Sequence, residues 1–189
     1  MNTVRFLLIC GSLRSGSSNA ALLKTALELL PPSVNAGLYG GLAALPHFNP
    51  DNDTENGPLH PAVLELRQRI GEADALLFST PEYAGALPGS FKNLLDWTVG
   101  GGEMYQKPVA WINAATLAAP TGGADAHASL RKVLGYLGAD IAEPACVRIP
   151  VEQHFVKDDG RVQDPELQKV LAEALTTLAA YVRRAKLRV

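Results

Sequence analysis

Short apolar runs alternate with segments of helical periodicity along this chain, and this alternation constrains the fold more than any other feature. Apolar runs with the composition of buried strands lie at Val4–Cys10, residues 35–39, Ala75–Ser79, residues 108–113 and residues 141–149, the last interrupted by Pro144. Strands that are apolar on both faces are typical of parallel sheets covered by helices on both sides. The pattern therefore predicts a doubly wound five-stranded parallel sheet, a three-layer α/β/α fold.

The segments between these runs repeat apolar residues at helical spacing. Helices are predicted over residues 18–30, 61–71, 91–98 and 130–137, with a last helix that starts at Asp164-Pro165-Glu166. Proline and glycine follow several of these segments, as at Pro31-Pro32 and Gly138, and they mark helix ends. Because no change in composition and no repeat divides the chain, residues 1–189 are expected to form a single domain.

Composition excludes several classes of protein. The 189 residues are 47% apolar and 19% charged, and the formal net charge of −2 gives no electrostatic case for binding nucleic acid or an anionic membrane. No apolar run reaches the roughly 18 residues of a membrane span. Cys10 and Cys146 lie in separate apolar runs, which favours buried free thiols and a reducing, cytoplasmic location. The four histidines lack metal-ligand spacing and are expected at the surface or as helix caps.

The first apolar run ends abruptly at Gly11, and the next eight residues are rich in serine, arginine, glycine and asparagine before a helical pattern begins. This is a strand, a loop and a helix, and the first N–H groups of such a helix point at the loop without intrahelical partners. Arg14 supplies a positive charge there. The loop lacks the glycine spacing of dinucleotide or P-loop sites, so a terminal phosphomonoester is the predicted ligand. An ordinary capped turn is the alternative.

Three loops are expected to meet at one edge of the sheet. Residues 11–19, 80–90 and 114–123 follow the first, third and fourth predicted strands, and ligands of doubly wound sheets bind outside the carboxyl ends of the strands. None of these loops contains a histidine that could activate a nucleophile. Their composition therefore argues against a hydrolase and for a site in which a bound cofactor carries the chemistry.

The second loop has the character of a rigid platform for a flat heterocycle. Pro81 and Pro88 stiffen it, Gly85 permits close approach of its backbone, and Tyr83 can cover a ring. A rigid connector without a ligand is the alternative. Glu82 is expected to act through its backbone, or else to be an ordinary solvated carboxylate.

Two motifs, about 70 residues apart, give this chain a family resemblance. Gly11-Ser12-Leu13-Arg14 with Ser17, Ser18 and Asn19, followed by Pro81-Glu82-Tyr83 and the stretch 88–93, resembles the NADPH-dependent FMN reductase family. The resemblance implies a flavodoxin-like fold and bound FMN. It also implies which residues hold the cofactor: Ser12, Arg14, Ser17, Ser18 and Asn19 at the phosphate, Pro81, Glu82, Tyr83, Ala84 and Gly85 along the isoalloxazine ring, and Thr116 in the third loop. Ala84 departs from the asparagine that is frequent in the family, and the third loop matches only loosely.

The resemblance implies an oxidoreductase that works by a ping-pong mechanism. Hydride from NADPH or NADH would pass to FMN and then to a small-molecule acceptor such as a flavin, a quinone, an azo compound or a metal oxyanion. An electron-carrier flavodoxin and a phosphate- or nucleotide-binding regulator are the alternatives. The family also implies a homodimer or homotetramer, for which the helix carrying Trp97 is one candidate face, although a core position is the default for such a residue.

Overall fold

A computed structural model of the chain describes residues 3–54, 57–115 and 120–187. Its strands form one sheet, and every pairing within it is parallel. The strands are β1 (Val4–Cys10), β2 (Val34–Tyr39), β3 (Ala75–Ser79), β4 (Pro108–Ala115), β5 (Asp140–Ile141) and β6 (Val147–Pro150). Their spatial order is β2-β1-β3-β4, and β5 and β6 both pair with β4. The first, third and fourth predicted strands therefore lie side by side at the centre.

The fifth predicted strand is two strands instead of one. β5 pairs with the start of β4 and β6 with its end, and a 3-10 turn over Glu143–Ala145 separates them. Pro144 lies in this turn; it lacks an N–H group and its ring fixes φ, so the chain leaves the sheet there. Together β5 and β6 fill the fifth position of the sheet.

The helices cover both faces of the sheet. They are α1 (Ser18–Glu28), α2 (Pro61–Glu72), α3 (Gly89–Asp96), α4 (Ala124–Tyr136) and α5 (Pro165–Lys186). One apolar cluster joins α1 and α5 to strand residues such as Leu8 and Leu77, and a second joins α2, α3 and α4 to Ile9 and Phe78. Neighbouring strand residues thus point to opposite clusters, as a sheet buried on both faces requires. The predicted three-layer fold is confirmed.

Predicted helix starts agree with the structure where the capping chemistry is local. The carboxylate of Asp164 accepts a hydrogen bond from the Leu167 N–H at the start of α5 (2.9 Å), and His60 Nδ1 accepts one from Ala62 at the start of α2 (3.2 Å). The fourth helix begins at Ala124, six residues before the first position of the predicted segment. None of the helices within the described ranges is long and apolar enough to cross a bilayer.

The connection between β2 and α2 is held against the body of the protein by buried polar contacts. The guanidinium of Arg67 donates to both carboxylate oxygens of Asp53 (2.8 Å each) and to the carbonyl of Trp97 (2.9 Å). The indole Nε1 of Trp97 donates to the carbonyl of Pro46 (2.8 Å), and the residue is 1% exposed. Trp97 is therefore a core residue, and its side chain is not available to a subunit interface.

Candidate cofactor site at the carboxyl edge of the sheet

The loops that follow β1, β3 and β4 meet at one edge because these three strands are adjacent and parallel. The Gly11 N–H donates to the Ser79 carbonyl (2.8 Å), so the first and second loops leave the sheet together. A Cβ on Gly11 would lie 2.6 Å from Thr80 Oγ1 and 2.9 Å from the ring of Phe91. The first loop can therefore start in this position only with glycine.

A buried asparagine joins all three loops. Asn19 is 3% exposed, and its Oδ1 accepts hydrogen bonds from the Ser79 hydroxyl (2.9 Å) and the Ala114 N–H (3.2 Å). A second amide, Asn113 Nδ2, donates to the Thr80 carbonyl (2.6 Å). The Asn19 Oδ1 thus has two hydrogen-bond donors within the protein, and its contact with a phosphate stays a prediction.

The first loop forms a cradle whose helix N-terminus has no side-chain cap. Ser17 occupies the N-cap position of α1 in an extended conformation, but its hydroxyl forms no hydrogen bond to a helix N–H. No acidic residue lies in the first turn of α1, and the side chain of Arg14 is exposed beside it. Uncapped N–H groups, serine hydroxyls at Ser12 and Ser18 and a nearby guanidinium are the donor set that a phosphate monoester needs. The residues present fit that group.

The second loop contains a tight hairpin. Tyr83 and Ala86 exchange two backbone hydrogen bonds (3.0 and 3.1 Å), and the two residues between them, Ala84 and Gly85, both have positive φ (51° and 71°). This is the geometry of a type I′ turn, which favours Asn-Gly. The turn presents Tyr83 at the sheet edge with half of its surface exposed. An asparagine at position 84 would therefore suit the positive φ of this position, in addition to any contact with a ligand.

Glu82 is not a solvated carboxylate. Its two oxygens accept hydrogen bonds from the Thr121 hydroxyl (2.6 Å) and from the N–H groups of Asp125 and Ala126 (3.0 Å each). The Thr121 hydroxyl and the two helix N–H groups hold the pKa of Glu82 below its usual value. Since Gly123 at the N-cap position of α4 has no side chain, Glu82 caps that helix. The second loop is thereby fixed to the third.

The third loop is described only from residue 120 onward. Thr116 lies outside the described residues, so its predicted place beside the cofactor stays an expectation. Gly123 has a φ of 82°, and a Cβ there would lie 2.1 Å from Asn113 Oδ1. The end of the loop thus passes directly over the end of β4.

His127 is neither a surface residue nor a cap. Its ring packs edge-on against Trp111, with ring centroids 5.7 Å apart. Burial, together with the positive charges of Arg148 and Arg131, lowers the pKa of His127 to about 4. The Nε2 of His127, the Nε1 of Trp111 and the Oδ1 of Asn113 are buried and have no hydrogen-bond partner among the residues that the structure describes. His127 is therefore neutral at pH 7.

Sequence reasoning also missed Arg148. This residue lies on β6 opposite Asn113, and its Nη1 donates to the Thr121 carbonyl (3.3 Å). It is the one cation in the apolar stretch 141–149, a signal that marks an outward-facing strand position. Across the described residues, no cluster of three or more histidine, cysteine or acidic side chains could hold a metal ion.

Comparisons with known proteins agree with this geometry. The family model for NADPH-dependent FMN reductase matches residues 4–152. An NAD(P)H-dependent FMN reductase of Pseudomonas aeruginosa is 36% identical over 183 residues, which cover 96% of each chain. A probable NADPH:quinone oxidoreductase of Oryza sativa subsp. japonica is 32% identical, over 96% of this chain and 93% of its own. The solved structure of a flavoenzyme NAD(P)H:(acceptor) oxidoreductase from Paracoccus denitrificans superposes with a TM-score of 0.82 at 29% identity, covering 96% of this chain and 98% of the other.

The left-handed conformation of Ala84 predicts that replacing it stabilises the protein. Asparagine tolerates positive φ better than alanine, so A84N is expected to raise the free energy of unfolding by about 0.5–1 kcal/mol in urea denaturation. Ala86, in the same hairpin, does not have positive φ, and A86N should bring no gain. An A84N protein no more stable than the parent would contradict the strain at this position.

The buried neutral His127 predicts a loss of stability in mild acid. The pKa of His127 in the folded protein, about 4, lies below the ordinary histidine value of 6.5. The neutral form is therefore favoured by folding, and this contribution is complete above pH 6.5 and is lost as the pH falls toward 4. H127Q cannot take up the proton. Between pH 6.5 and pH 4, its free energy of unfolding should therefore fall by roughly 1–3 kcal/mol less than that of the parent. The exposed His154 supplies the control, since H154Q should keep the slope of the parent.

Proposed function

The chain belongs to the NADPH-dependent FMN reductase family, and on that premise we propose that it is an FMN-dependent NAD(P)H oxidoreductase. When bound, FMN supplies the two-electron chemistry between NAD(P)H and a small-molecule acceptor. The name of the rice relative supports a quinone as that acceptor. The observation that carries the proposal is the uncapped cradle at the start of α1. Asn19 joins this cradle to the rigid second loop, residues 80–90, which is called the ring loop below.

We assign the phosphate of FMN to the first loop. Ser12, Ser17 and Ser18 offer hydroxyls, the first turn of α1 offers N–H groups, and Arg14 offers the positive charge. Hydrogen bonds to a phosphate from a guanidinium are stronger than those between neutral groups. Asn19 completes the set by holding this cradle at the ends of β3 and β4.

We assign the isoalloxazine ring to the second loop. The backbone of Pro81, Glu82, Ala84 and Gly85 faces the ring in this proposal, and Tyr83 covers its edge. The hairpin bonds and the Glu82 carboxylate keep these groups fixed before a ligand arrives, so little ordering is needed on binding. We also assign Thr116, which lies outside the described residues, to this cofactor site, as the family resemblance implies. Nicotinamide and acceptor then use the same open side of the ring in turn, which is a ping-pong sequence.

Binding and turnover of FMN test this function directly. The protein mixed with FMN should become yellow, and anaerobic addition of NADPH or NADH should bleach the flavin band. R14Q should weaken FMN affinity roughly 10- to 100-fold, as expected for the loss of a charged hydrogen bond. K169Q, which removes the same charge from the exposed surface of α5, should leave FMN affinity unchanged.

Two results would contradict the proposal. Protein that stays colourless with excess FMN has no flavin site. Protein that binds FMN but does not oxidise NAD(P)H in the presence of a quinone is an electron carrier of the flavodoxin type.

We further propose that two copies associate through the face formed by α3 and α4. An apolar groove of about 220 Å³ lies between these helices, and its lining includes Val99 and Tyr136, which are 61% and 86% exposed. Exposed apolar groups around a groove are typical of subunit contacts, and one patch that meets its own copy gives a closed dimer. The second loop leads directly into α3, so the N-terminal end of this helix lies beside the proposed flavin site. A tetramer would need a second face.

Light scattering tests this assembly. The parent should have the mass of a dimer or tetramer, and Y136D should shift it toward the monomer by placing a charge in the contact. Leu187, which is also 86% exposed but lies at the end of α5, provides the matched control L187D. A monomeric mass at all concentrations of the parent would refute the assembly while leaving the flavin chemistry untouched.

Two expectations from the sequence also stand as proposals. Residues 1–189 form a single FMN-binding domain, which the single sheet supports. The protein works in a reducing, cytoplasmic compartment, which its two free thiols support. Burial raises the pKa of Cys10 and raises that of Cys146 to about 11, so both remain protonated thiols.

A further inference from the structure

We propose that Arg148 binds a phosphate group of the nicotinamide dinucleotide. This inference rests on the proposed function, because it concerns the substrate that delivers electrons to the flavin site. It assigns the anion to a residue outside all three loops from which the site was predicted.

Arg148 lies at the same edge of the sheet as the ring loop, and it contacts Thr121 in the neighbouring third loop. The register of β6 against β4 places it opposite Asn113, at the carboxyl end of the strands. Its Nη1 donates to the Thr121 carbonyl (3.3 Å), and the Thr121 hydroxyl donates to Glu82 in the ring loop (2.6 Å). One residue therefore separates Arg148 from the loop assigned to the isoalloxazine ring.

The position of Arg148 is complementary to that of Arg14. The sheet order places the phosphate cradle at β1, the ring loop at β3, the third loop at β4 and Arg148 on β6. Arg14 and Arg148 thus flank the ring loop from opposite sides. A dinucleotide whose nicotinamide stacks on the ring cannot place its phosphates in a cradle that the FMN phosphate fills, so it needs a cation elsewhere.

The charge of Arg148 is not neutralised within the described residues. Its side chain is exposed and forms no ion pair there. The nearby carboxylates are already engaged: Glu82 caps α4, and Glu143 pairs with Arg131 at 2.6 Å. The exposed Asp125 lies toward Gly85 instead, with its Oδ2 3.8 Å from a Cβ built there. Among the described residues, the β6 side of the site is therefore positive.

Arginine suits this role better than lysine. Its planar guanidinium presents paired donors to two oxygens of one phosphate. Because one Nη1 bond to a carbonyl engages only part of that donor set, the rest can meet a ligand. The phosphates available are the pyrophosphate, which NADPH and NADH share, and the 2′-phosphate, which only NADPH carries.

Steady-state kinetics of the FMN-loaded enzyme with a quinone acceptor test the assignment. R148Q should raise KM roughly 10- to 100-fold for at least one dinucleotide, with kcat unchanged because the reacting atoms are not touched. A rise for NADPH alone identifies the 2′-phosphate, and a rise for both identifies the pyrophosphate. R148K should recover part of the loss. R184Q, which removes an exposed arginine at the opposite edge of the sheet, should change neither KM.

Binding measured without turnover gives an independent readout. Calorimetric titration of the oxidised, FMN-loaded protein with NADP⁺ should show weaker binding for R148Q, and its affinity should depend less on salt than that of the parent. Unchanged KM values and unchanged NADP⁺ affinity in R148Q would overturn the inference, as would a loss confined to FMN affinity. In either case the parent would still reduce quinone, so the proposed function would stand; failure of the parent itself would instead remove that function.

Discussion

The carboxamide oxygen of Asn19 is the contact on which the site depends. Parallel strands bring three loops to one edge, but they do not fix the loops relative to one another. Asn19 does so from inside the protein, because its Oδ1 accepts from the end of β3 and from β4 at once. Buried from water, these hydrogen bonds are costly to break, since the Ser79 hydroxyl and the Ala114 N–H would be left without partners. The cradle and the ring loop are therefore parts of one rigid unit.

Glu82 extends that unit to the helix on the far side of the site. Its carboxylate serves the N-terminus of α4, where the partial positive charge of the helix favours an anion. The same helix carries His127 against Trp111 of β4. The ring loop is thus anchored to α4, and the N-terminus of α4 is in turn capped by Glu82 of that loop. Such mutual support keeps binding groups in place without a large entropic cost when a ligand enters.

The features that sequence reasoning predicted correctly are those coded by local patterns. The apolar run of β1, the glycine-serine loop after it and the proline-stiffened second loop can be read from neighbouring residues. The interruption of the fifth strand at Pro144 was predicted, but its division into two strands that pair with opposite ends of β4 was not, because that division depends on the register of β4 against the chain on either side of Pro144. The role of Glu82 was missed because its partners lie some 40 residues away, at Thr121 and Ala126. His127 and Arg148 likewise acquire their surroundings only through the packing of α4 and β6.

The interruption between β5 and β6 has a consequence for how the molecule behaves in a crowded solution. An unpaired strand at the rim of a sheet is a template on which another chain can add, and long, regular rims invite aggregation. Here the rim beside β4 consists of pieces of two and four residues, offset by a turn and terminated by Pro150. A passing strand finds no continuous row of N–H and C=O groups to pair with. The irregularity that spoils the ideal sheet thereby protects this rim from self-association through its backbone.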